Sequence, residues 1–108
     1  AEIDSLLSRL AVSGCRFKRN GAWHTAAKAQ AHLVRKLEYL VDRGAVTSAE
    51  QFIERAATRS SVSGQAYLVK CGASPTVPSS KWLYSELQAL RAARFDKKTN
   101  QGSLKQPG

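Results

Sequence analysis

The sequence predicts a small α+β domain in which a three-stranded antiparallel sheet packs against about four helices. Three observations carry this reading. Apolar residues recur at three- and four-residue spacing in four separate segments, an Asn-Gly pair joins two short alternating segments, and a later β-rich segment brings two cysteines opposite each other. With 108 residues there is material for one core and one domain.

Ile3, Leu6, Leu7 and Leu10 lie on one face of a helix over residues 2–13, with Gly14 at the capping position. From Cys15 to Arg19 polar and apolar residues alternate. Asn20-Gly21, the pair suited to a type I′ turn, leads back through Ala22-Trp23-His24 to complete a β-hairpin. Thr25 caps a helix over 26–43, read as the main core helix from its stripe of Ala26, Ala29, Leu33, Leu37, Leu40 and Val41, and Gly44 ends it.

Ser48 with Gln51, or Thr47 with Glu50, has capping-box spacing and opens a third helix that stops near Ser60. Ser60-Ser61-Val62-Ser63-Gly64 reads as a turn, Tyr67–Cys71 as a strand, and the proline-containing stretch after it as a loop. Ser79 or Ser80 caps a last helix with Trp82, Leu83, Leu87 and Leu90 inward. The domain is placed at 1–94, followed over 95–108 by a polar, basic tail expected to be flexible.

Setting the 67–71 strand antiparallel beside 15–19 pairs Cys15 with Cys71, Phe17 with Val69 and Arg19 with Tyr67. Opposed positions are close enough for a disulfide, so a Cys15–Cys71 bond is predicted, and with it an oxidising compartment such as the periplasm. The rival, a metal site from both cysteines with His24 and His32, lacks the closely paired ligands of a zinc finger, and no metal or other cofactor is expected. The Ala-Glu start without methionine fits cleavage of a signal peptide, although an artificial boundary looks the same.

The same register sorts the side chains. Cys15, Phe17, Tyr67, Val69 and Cys71 face the helices, while Arg16, Lys18 and Lys70 with Leu68 and, across the hairpin, Trp23 share the other face. An aromatic among cations suits a nucleotide base, a sugar ring or an anionic polymer; lysine stems covering an exposed Trp, or the last helix covering this face, give the same pattern without a ligand. His32 and Lys36, one helical turn apart, border the apolar stripe and can meet the serine turn, where Ser61 and Ser63 either help hold an anion or merely fix the loop.

The net charge of +9, of which +4 falls in residues 91–108, favours anionic partners or simply aids solubility. No apolar run is long enough for a transmembrane segment. The sequence has no glycine-rich phosphate loop, HExxH or CxxC motif, and Ser61 or Ser63 with His32 lacks an evident orienting acid.

Several words in fixed order, namely Phe17-Lys18-Arg19-Asn20-Gly21, Ala29 with His32-Leu33 and Lys36, Thr47 to Ile53, Ser60 to Gly64, and Tyr67, resemble the YfeK-like family of small exported proteobacterial proteins of unknown function. The resemblance covers about residues 15–70 and implies a precursor with a signal peptide, without supplying an activity. The cysteine pair and the basic C-terminal segment depart from that family's pattern. The expectation is therefore a non-catalytic periplasmic binding domain for an anionic envelope component or a protein partner. An immunity or inhibitor protein against an exported toxin is the alternative, and a small hydrolase a third. Nucleic acid is not an expected partner of an exported protein.

Overall fold

A computed structural model describes the backbone of residues 2–105 and the side chains of residues 2–94. Four helices, α1 (Glu2–Ala11), α2 (Ala26–Asp42), α3 (Ala49–Ala56) and α4 (Ser79–Lys105), pack against a four-stranded antiparallel sheet of β1 (Arg16–Arg19), β2 (Ala22–His24), β3 (Leu68–Lys70) and β4 (Val77–Pro78) in the order β2-β1-β3-β4. The α+β class stands, with one more strand than the sequence pattern predicts. β4 is only two residues long and ends in proline, which reads as loop. On a sheet edge a proline displaces no ladder bond, and Val77 and Pro78 pair with Val69 and Leu68.

The sheet register is as expected. Phe17 pairs with His24, Lys18 with Trp23 and Arg19 with Ala22 across the hairpin, and Phe17 pairs with Val69 on β3. Asn20 and Gly21 both have positive φ, 52° and 82°, as a two-residue primed turn requires. At the far end of the β1–β3 pair, Cys15 and Cys71 are disulfide-bonded with Cα atoms 4.3 Å apart.

The helix ends show which local signals act. Thr25 Oγ1 accepts from Lys28 N at 3.2 Å, and Ser48 Oγ accepts from Gln51 N at 3.1 Å. Of the two capping boxes compatible with the sequence, Ser48–Gln51 forms, and Gln51 Oε1 reaches back to Thr47 N at 2.8 Å. α4 starts at Ser79 directly after β4 instead of behind a serine cap. The Ser79 N–H, a first-turn donor with no acceptor inside the helix, bonds the carbonyl of Tyr67 at 2.8 Å, so the residue just before β3 does the work of the cap. The backbone of α4 continues through the segment expected to be a tail; the flexibility expected of 95–108 lies outside the described side chains.

The core is centred elsewhere than the sequence suggests. Leu6 and Leu10 of α1, Phe52 and Ile53 of α3, Val69 of β3 and Leu83 of α4 have no exposed surface. α2, expected to be the main core helix, fully buries only Ala26 and Leu33, and Val41 is half exposed. Phe17 lies under α4, its ring edge-on to Trp82 with centroids 5.7 Å apart. α4 therefore covers the inner face of the sheet and leaves the outer face open.

Candidate functional site

The outer sheet face is built by the alternation of three short strands. Antiparallel pairing sets Trp23, Lys18 and Leu68 in one row across β2, β1 and β3, with Arg16 and Lys70 paired in the next row. Arg16 and Lys70 are exposed, Lys18 and Leu68 half-buried, and Trp23 is 41% exposed. Lys18 Nζ lies 5.8 Å from the centre of the Trp23 ring, within the range of a cation–π contact. Lys70 Nζ donates to the Ser74 carbonyl at 2.8 Å, which steadies the loop after the disulfide. The structure thus brings together the four residues assigned to this face, and Lys18 does lean over Trp23.

The face carries cations without carboxylates, for a reason visible in the chain. No Asp or Glu occurs between Asp4 and Glu38 or between Glu54 and Glu86, and these two stretches contain all four strands. The acids instead serve the helices. Glu2 pairs with Arg91 at 2.8 Å and with Arg94 at 2.5 Å, Glu50 with Arg91 at 2.9 Å, and Glu86 with Arg9 at 3.3 Å. Hydrogen bonds from Arg91, reinforced by Arg94, hold the Glu2 carboxyl down to about 2. Among the described residues none of Arg16, Lys18 and Lys70 is in these ion pairs, and their positive charge gathers on the sheet side.

Beside the row, a cleft of about 390 Å³ is lined by Lys18, Asn20, Gly21, Gln65, Ala66 and Leu68. One wall is the hairpin turn and the other the segment leading into β3. Ser63 Oγ and Asn20 Oδ1, 2.5 Å apart, fasten the serine turn to the hairpin turn, and Ser63 Oγ also accepts from Gln65 N at 3.2 Å. Neither Asn20 nor Gln65 is marked by sequence pattern as a site residue. They meet through Ser63, which bonds both of them and ties the two turns together.

His32 and Lys36 lie apart from that face, on α2, around Tyr67. Lys36 Nζ donates to the Tyr67 hydroxyl at 3.1 Å and to the Arg59 carbonyl at 2.9 Å, and His32 Nε2 is 3.1 Å from the same hydroxyl. With Lys36 donating, the phenol O–H points to His32 Nε2, which must be unprotonated to accept it. Burial, then the nearby Arg19, Lys36, Arg35 and His24, lowers the His32 pKa to about 4, which fits this arrangement. Burial and then Arg19 also lower Lys36, and burial raises Tyr67. Tyr67, assigned from sequence only to the sheet's inner face, is the hub of this chain.

The serine turn is held by Ser60, which the sequence does not single out from its neighbours. Buried Ser60 accepts at Oγ from Val62 N at 3.1 Å and Ser63 N at 3.2 Å. The N–H groups of Val62, Ser63, Gly64 and Gln65, which an anion in the turn would need, are thus bonded within the turn itself. Ser61 is exposed, and among the described residues neither Ser61 nor Ser63 hydrogen-bonds His32. The arrangement fixes α2 to the loop before β3.

This chain has a pH consequence. Because folding lowers the His32 pKa, its contribution to stability is complete above the ordinary histidine value near 6.5 and is lost as pH falls toward 4. The urea midpoint should fall between pH 6.5 and 4, and His32→Gln should flatten that part of the profile. The Glu2 pairing is lost in a lower window, between about 4.5 and 2. An NMR titration placing His32 near 6.5 would contradict the assignment.

Among the described residues no three His, Cys, Asp or Glu side chains group as metal ligands, and no helix is long and apolar enough to cross a membrane. No curated protein and no solved structure matches the chain. One family model does, over residues 1–91, and its span includes the hairpin, β3, the Tyr67 hub and the first half of α4. The chain belongs to that family, the family of unknown function DUF5329.

Proposed function

We propose that this protein is a non-catalytic periplasmic binding domain that holds an anionic component of the cell envelope on its outer sheet face. The observation that carries the reading is the uncovered row of Trp23, Lys18 and Leu68 beside Arg16 and Lys70, in a part of the chain without a single carboxylate. Such a face concentrates polyanions by its field and gives them an aromatic surface to rest on. The disulfide supports an oxidising compartment, and the likeness to exported YfeK-like proteins supports the same location.

A protein partner, including the target of an immunity or inhibitor protein, is the second reading. One observation favours it: β2 stands at the edge of the sheet, so a partner strand can add beside Trp23.

The test is co-sedimentation of the purified protein with phosphatidylglycerol vesicles, phosphatidylcholine vesicles and purified sacculi at about 10 and 200 mM salt, where screening lengths differ severalfold. Binding to an anionic material at low salt, weakened at high salt and missing from phosphatidylcholine, is expected. Equal retention on phosphatidylcholine, or none on any anionic surface, would overturn the reading.

A further inference from the structure

The cleft beside Lys18 offers a different chemistry from the open cationic row. Its volume of about 390 Å³ lies at the lower end of the range of small-molecule sites. The Gln65 side-chain amide is exposed and makes no hydrogen bond among the described residues, so it presents both a donor and an acceptor. Lys18 supplies one cation, which among the described residues engages only the Trp23 ring. Leu68 and Ala66 give an apolar floor, and Trp23 stands on the far side of Lys18, in a row roughly 10 Å across.

We infer that this cleft is a subsite for an acidic saccharide: Gln65 bonds ring hydroxyls, Lys18 pairs with the carboxylate, and Leu68 and Trp23 take the apolar faces of successive rings. The inference rests on the anion-binding reading and narrows it to a glycan. Paired hydroxyls need groups that both donate and accept, which Gln65 does and the surrounding cations cannot. A lipid surface would call for a continuous apolar patch, whereas Lys18 separates Trp23 from Leu68. The bond between Ser63 and Asn20 holds both walls at fixed separation, so the cleft is formed before any ligand arrives.

The probe is oligogalacturonate, compared with its neutral methyl ester and with phosphatidylglycerol vesicles, read by calorimetry and by amide shifts. The acid should bind at least about tenfold more tightly than the ester, with the largest shifts at Asn20, Gly21, Gln65 and Ala66. Gln65→Ala should weaken the oligosaccharide about fivefold, the usual worth of one hydrogen bond, and leave vesicle binding unchanged. Equal affinity for acid and ester, shifts confined to Arg16 and Lys70, or a Gln65→Ala variant that binds like the parent would each overturn the subsite. If vesicles bind and the oligosaccharide does not, the saccharide inference fails and the cationic face survives; if vesicles, sacculi and oligosaccharide all fail to bind, both fall.

Discussion

Replacing Cys15 and Cys71 together by serine should lower the unfolding free energy by about 4 kcal/mol, read from urea denaturation of the oxidised parent and the variant. The two residues are 56 positions apart, and closing a loop of that length removes this much chain entropy from the unfolded state. Total stability for a domain of this size is of the order of 5–15 kcal/mol, so the bond is a large share of it. Its place matters as much as its size. It clamps the open end of the β1–β3 pair, opposite the end where Ser63 bonds Asn20, and so the register that sorts core from cationic face is pinned at both ends. A variant that loses under about 1 kcal/mol would show that packing alone holds the register. Reduction of the parent with a thiol should reproduce the effect of the double variant.

Phe52→Ala should cost roughly 3–5 kcal/mol, comparable to the disulfide, because it removes the largest side chain with no exposed surface among the described residues. Phe52 lies on α3, and Leu6, Leu10, Ile53, Val69 and Leu83, from α1, α3, β3 and α4, share its cluster. A matched substitution on α2 tests where the core is centred. Val41, half exposed at the end of the stripe that suggested α2 as the main core helix, should tolerate alanine with less than about 0.5 kcal/mol lost. A larger cost at Val41 than at Phe52 would return the centre of the core to α2.

The misreading of α2 has a physical cause. Periodicity shows that a helix has an apolar face, but not how much of that face its neighbours cover. The 17 residues of α2 extend beyond what α1, α3 and the sheet bury, so Tyr39 and Val41 emerge at its end, and Arg43 stacks on the Tyr39 ring at 3.6 Å. The short α3 has fewer apolar positions, yet Phe52 and Ile53 lie at the crossing of helices and are covered on all sides.

The register was legible because three independent signals agree on it: the Asn-Gly turn, the alternation of β1 and β3, and the cysteine pair. A one-residue slip would have put Phe17 in water and separated the sulfurs. β4 was not legible, since two residues ending in proline carry no strand signal and pair only because β3 is already in place. The cationic face follows directly from the register, and its residues were identified from sequence. The cleft does not, because Asn20 and Gln65 are 45 positions apart and only the turn-to-turn bond through Ser63 makes them neighbours. Nor does the Tyr67 hub: its hydroxyl meets His32 and Lys36 because the residue just before β3 lies against that turn of α2.

The claim on which the functional reading rests is that Arg16, Lys18 and Lys70 form the binding surface, and the direct measurement is the affinity of the triple variant Arg16→Glu, Lys18→Glu, Lys70→Glu for phosphatidylglycerol vesicles and sacculi. All three side chains lie outside the core, so the variant should unfold within a few degrees of the parent. Each cation near an anionic surface is worth about 1 kcal/mol, so the parent should bind at least about a hundredfold more tightly at low salt. A folded triple variant that binds both materials as well as the parent would contradict the account.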